Sequence, residues 1–141
     1  MFCSLLTALS SLGIIERDGE RIRRVATLLR FFGGQGFLQS EEWVPHSPEV
    51  LQVTDGIFGS AFPATGSSPL GAEKAAAAGD VVYFLINRKA TPRQAPQLDI
   101  SANPKTLHYY DCWKGVPLTP TKAGTLDFSI DVSSPAVCRC L

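Results

Sequence analysis

The sequence predicts a mainly β protein, an antiparallel β-sandwich preceded by one amphipathic helix. Three observations carry this. Apolar residues recur at helical spacing only between Ile14 and Phe32. Beyond Gly36, short β-rich runs alternate with clusters of proline, glycine and serine. The late segment Thr125 to Val132 alternates apolar and polar residues with the period of a strand buried on one face and wet on the other. The 141 residues are enough for one core, and a chain of that size buries roughly two thirds of its unfolded surface. Two parts are expected: residues 1–36, an apolar segment and the helix serving as a docking element, and residues 37–141, the sandwich.

In the helix, Ile15, Ile22, Val25, Ala26, Leu29 and Phe32 follow one another at sums of three and four, leaving Glu16, Glu20, Arg23 and Thr27 on other faces. Gly19 weakens the first half by about 1 kcal/mol relative to alanine, so the firm part is Glu20 to Phe32. The Gly33-Gly34 pair ends it, because glycine tolerates the left-handed conformation that closes a helix. Arg17, Arg21, Arg23, Arg24 and Arg30 are interleaved with Glu16, Asp18 and Glu20, so opposite charges pair at helical spacing. That pattern reads as a solvated or docking face rather than a nucleic-acid patch. Ahead of it, Met1 to Ile15 is apolar, with Leu5, Leu6, Leu9, Leu12 and Ile14. It lacks a positive leader region and falls short of the roughly 20 apolar residues a membrane span needs. It reads as a buried segment or the start of a truncated coding sequence.

The expected strands are Ile57 to Phe62, Val81 to Arg88, Gln97 to Ser101, Leu107 to Trp113, Thr125 to Val132 and Ala136 to Leu141. The run Val81 to Ile86 is continuously apolar, as befits a central strand covered on both sides. Turns are expected at Pro63 to Gly71, Thr91 to Pro96, Asn103-Pro104, Gly115 to Gly124 and Ser133 to Pro135. The stretch Gly71 to Gly79, with four successive alanines, reads as an insertion between two strands that otherwise form a hairpin.

Composition narrows the function. Thirteen basic residues balance thirteen acidic ones, and charged residues make up 18% of the chain, below the roughly 25% of ordinary soluble domains. Nucleic acid and anionic lipid both call for clustered lysine and arginine, so neither a nucleic-acid nor a membrane partner is expected. The low charge implies that another surface covers part of this one. Cys3, Cys112, Cys138 and Cys140 have no C-x-x-C spacing and no histidine at zinc-site distance, so no metal or other cofactor is expected. In a strand Cys138 and Cys140 share a face as small core fillers; a disulfide involving Cys112 depends on geometry the sequence does not carry.

Catalysis finds no purchase in the spacing. Glu41, Glu42, Asp111 and Asp127 are carboxylates with nothing to select a pair. Gly59-Ser60 lacks the second glycine of a nucleophile elbow, and Gly33-Gly34-Gln35-Gly36 follows a helix instead of preceding one. His46 reads as a loop residue and His108 as a strand residue. No catalytic residue is assigned. The candidate ligand-binding residues are Trp43, Tyr110 and Trp113, because flat rings beside acidic and amide groups stack on sugar rings while their neighbours bond the hydroxyls. In a strand Tyr109, Asp111 and Trp113 share one face, and His108, Tyr110 and Cys112 the other.

Taken in order, several segments carry a resemblance. They are the helix end Leu28-Leu29-Arg30-Phe31-Phe32, the run Phe37 to His46, Ile57-Phe58-Gly59-Ser60-Ala61-Phe62-Pro63, Leu85-Ile86-Asn87-Arg88, and Tyr109 to Pro120. From about Ile22 onward the chain resembles the β-sandwich region that follows the barrel in bacterial TIM-barrel glycoside-hydrolase-like proteins, some of which also carry a module similar to formylglycine-generating enzymes. The resemblance implies a support domain whose partner is a catalytic barrel holding the carboxylates. The alanine-rich insertion and the cysteine-bearing last strand depart from the pattern. Two further readings remain: a free-standing carbohydrate-binding module, and an interaction module docking through the arginine-rich helix.

Overall fold

Six consecutive apolar residues can be buried in a strand only if both of its faces are covered; in the run from Val81 both faces are covered as far as Leu85, and Ile86 on the outer face is 49% exposed. The computed structural model describes residues 16–66, 76–77, 79–103, 107–131 and 135–140. It contains helix α1 (Glu16–Gly34), a short 3-10 turn (Val53–Asp55) and seven strands: β1 (Ile57–Pro63), β2 (Val81–Asn87), β3 (Arg93–Asp99), β4 (Tyr109–Asp111), β5 (Val116–Leu118), β6 (Thr125–Ile130) and β7 (Pro135–Cys140). They form a five-stranded sheet in the order β1-β2-β7-β4-β5 and a two-stranded sheet, β3-β6. Every pairing is antiparallel. The protein is mainly β, an open sandwich with, among the described residues, one α-helix on its outside.

The core lies between the sheets. Ile57 and Ala61 of β1, Tyr83 and Leu85 of β2 and Tyr109 of β4 meet Leu98 of β3 and Leu126, Phe128 and Ile130 of β6, with Val50 and Ile100 filling the margin. The alternation read in the sequence of β6 is the observed one, since Asp127 between these residues is exposed. On β2 the neighbouring positions Val82 and Phe84 turn the other way, against Phe32 of α1 and Phe37. Phe32 meets Phe84 and Phe37 edge-on, with ring centroids 5.8 and 5.7 Å apart, a favoured aromatic geometry.

One segment ties the two sheets together. Val44 pairs with Ala61 at the open edge of β1, and Val50 pairs with Leu98 at the edge of β3. His46, at φ 52°, takes the left-handed turn between them, and the amide of Ser47 donates to the carbonyl of Gly59 at 2.9 Å. A side chain at Gly59 would put its Cβ 2.8 Å from Val50 Cγ2, so the crossing requires glycine there. Asn87, buried at the end of β2, donates to the carbonyls of Thr91 and Ile130 and accepts the amide of Lys89, fastening one sheet to the other.

Three expectations are corrected. Arg93 to Pro96 is strand rather than turn: β3 carries its proline at a bulge, where the register shifts between Pro96 and Leu98. Proline has no amide to give a ladder, and the extra residue Gln97 turns inward, its Nε2 donating to the carbonyl of Phe128 while its buried Oε1 has no hydrogen-bond partner. The expected turn after Gly115 begins with strand β5, whose Pro117 blunts an exposed sheet edge. The expected strand Leu107 to Trp113 is reduced to Tyr109–Asp111, because Asp111 Oδ1 accepts the amides of Trp113 and Lys114 and bends the chain. Trp113 therefore does not share the strand face of Tyr109 and Asp111.

The alanine-rich insertion lies largely outside the described residues, but its flanks behave as expected. β1 and β2 pair in continuous register from Ile57 with Asn87 to Pro63 with Val81, and Ala76 is buried against the cluster around Phe32. Cys3 lies outside the described residues, as do the side chains of Cys138 and Cys140; the backbone register sets Cys138 opposite Tyr83 and Asp111.

Candidate functional site

Two surfaces merit a functional reading, one on α1 and one beside Trp43. On α1 the period of the apolar residues is as expected, but their cover is not. The residue facing the sheet is Phe32, with Leu28 packed beside it. Ile22, Val25 and Leu29, which lie one above another at spacings of three and four, are 47%, 36% and 42% exposed. The helix meets the sheet on a stripe centred between Leu28 and Phe32, about 90° round its axis from the line through Ile22 and Leu29, with Val25 between the two, given 100° per residue.

Five arginines stand against three acids along α1. Arg23 bonds both carboxylate oxygens of Glu20 at 2.9 Å, and Arg24 Nε bonds the same carboxylate at 3.0 Å. Hydrogen bonds from Arg23 and then Arg24 hold the Glu20 carboxyl down at about 2. The Arg24 guanidinium also lies 5.9 Å from the ring centre of Trp113, so Trp113 is spent on clasping the helix to the β4–β5 turn.

The three aromatic candidates do not assemble. Tyr110 is exposed on β4, and Trp113 is half-buried under Arg24. Trp43 is on the opposite side of the sheet, outside β1. Three strand spacings, about 14 Å, separate β1 from β4, and Trp43 stands a step beyond that.

Trp43 has a built setting of its own. The pairing of Val44 with Ala61 brings its indole onto Phe62, with centroids 5.7 Å apart and planes within 13°. Phe62 in turn meets Phe84 edge-on at 5.4 Å, so the stack rests on the outer core. Glu42, the residue before Trp43, lines a cleft of about 460 Å³ together with Gln39, Ser40, Glu41, Ala64 and Thr65, and Trp43 stands next to that lining in the chain rather than within it. Nothing in the spacing of Glu41 and Glu42 points to this cleft. Its other wall lies more than twenty positions away, and only the β1 register brings the two together.

His46 and His108 are both exposed, and His46 meets Phe58 edge-on at 6.1 Å. Among the described residues no group of three or more histidine, cysteine, aspartate or glutamate side chains is placed to hold a metal ion, and no helix is long and apolar enough to cross a membrane. Comparison of the chain with protein-family models, with curated proteins and with solved structures finds no match.

Proposed function

We propose that this chain is a non-catalytic accessory domain that docks through α1 onto a larger neighbour, the catalytic barrel of a glycoside-hydrolase-like protein. The observation that carries the docking is the exposed stripe of Ile22, Val25 and Leu29 on a helix already anchored to the sheet by Phe32. Contiguous exposed apolar surface on a folded domain marks an interaction site, and this stripe is presented on a rigid element. The arginines beside it set the chemistry of the partner: an apolar groove edged by carboxylates, since complementary charge steers and registers an encounter. The choice of a barrel as that partner rests on the resemblance of the segments from Ile22 to Pro120.

The test is to mix the purified chain with the barrel polypeptide encoded next to it and follow complex formation by sedimentation. A one-to-one complex is expected, weakened by added salt and abolished by the double substitution Ile22→Ser, Leu29→Ser. Glycoside hydrolysis by the chain alone, or the lack of any neighbouring barrel, would overturn the reading.

A further inference from the structure

Trp43 is held as a platform. One face of its indole is stacked, offset, on Phe62, and the residue remains 48% exposed. Its backbone neighbour is pinned on both sides, the amide of Val44 donating to Ala61 at 2.8 Å and that of Ala61 donating back at 3.0 Å. The loop leading into it is also set: Ser40 donates its amide to the carbonyl of Phe37, and its hydroxyl accepts the amide of Glu42.

An indole stacked on one ring and still open to water offers apolar surface for which the described residues supply no further ring partner. Along the adjoining cleft stand an amide at Gln39, carboxylates at Glu41 and Glu42 and a hydroxyl at Thr65. These are hydrogen-bonding groups of mixed character around one flat apolar patch. A small-molecule site needs that division: apolar contact for affinity and a few polar groups for orientation.

From this we infer that Trp43 and the adjoining cleft form a binding site for a pyranose ring, with the apolar C–H face of the sugar on the indole and its hydroxyls directed to Gln39, Glu41, Glu42 and Thr65. One open aromatic face suits a flat ring with one apolar side. A quaternary ammonium would call for several rings around it, and the second face here is already taken by Phe62. The inference is independent of α1 docking, since Trp43 and the helix stripe belong to separate surfaces.

The chain has two tryptophans, so Trp113→Phe makes Trp43 the sole indole reporter. Titrating that variant with cellohexaose, xylohexaose and mannohexaose, followed by tryptophan fluorescence, is expected to give a saturable change with at least one of them. Isothermal titration of the wild-type chain with that sugar should show binding that Trp43→Ala weakens by at least about tenfold, whereas Tyr110→Ala leaves it unchanged. Trp43→Phe, which keeps a ring on Phe62, is expected to retain part of the affinity and guards against a folding defect in the alanine variant. No saturable change with any of the three sugars overturns the inference, as does undiminished binding by Trp43→Ala. A saturable response to tetramethylammonium with none to the sugars overturns it equally.

Discussion

The two faces of the five-stranded sheet are finished to different degrees. Its inner face meets β3 and β6 in a core where Ile57, Leu85, Leu98, Leu126 and Ile130 are essentially inaccessible. Among the described residues its outer face is covered where Phe32 of α1, with Phe37 and Ala76 beyond the helix, packs with Val82, Phe62 and Phe84, and the helix leaves Ile22, Val25 and Leu29 exposed. The inner face therefore sustains the fold, and the outer face is left partly uncovered among the described residues. Burial of hydrophobic area is non-directional, so the same residue types serve both ends, and only their cover distinguishes them.

The largest expected effect tests the inner face. Leu126→Ala removes a fully buried side chain at the centre of the inter-sheet core and is expected to lower the unfolding free energy by about 2–5 kcal/mol, read as a fall in the urea midpoint with little change in slope. A value near zero would mean the two sheets do not share this core. Next comes the polar fastening. Asn87→Ala leaves the carbonyl of Ile130 and the amide of Lys89 without their partner, and a loss of about 1–3 kcal/mol is expected, measured the same way. The smallest effect sharpens the contrast. Leu29→Ser is expected to shift stability by no more than about 0.5 kcal/mol, because that residue is 42% exposed and lies outside the buried clusters. A loss comparable to that of Leu126→Ala would show the stripe to be covered within the folded chain, and the two faces to be equally complete.

Much of the architecture was legible where pattern and burial agree. The alternation of Leu126, Phe128 and Ile130 with polar neighbours specifies one buried face, and the unbroken run from Val81 specifies two, a reading that holds up to Leu85 and fails at the exposed Ile86. Pattern fails where proline sits inside a strand. Pro96 and Pro117 mark turns by composition, yet a bulge accommodates one and a sheet edge the other, and neither is visible without the partner strand. The helix was legible in period but not in cover, because neighbouring apolar stripes on one helix are equally good candidates for burial until the sheet selects between them. The aromatic candidates were each found as residues and misjudged as a group. Residue spacing says nothing of the distance between the edge of β1 and β4, and the stack of Trp43 on Phe62 depends on a single bridge between Val44 and Ala61.

The place of β7 in the sheet has a consequence for how the nascent chain acquires its shape. It is the latest of the described strands to leave the ribosome, yet it sits between β2 and β4, which make no ladder with each other. Until it arrives, β1-β2 and β4-β5 are separate hairpins, each with an open backbone edge. The edge of β2 is an apolar run without proline, the sort of segment that pairs readily with a stranger. Sheet closure is thus a late event resting on six residues, and the interval before it is when the protein is most exposed to mispairing.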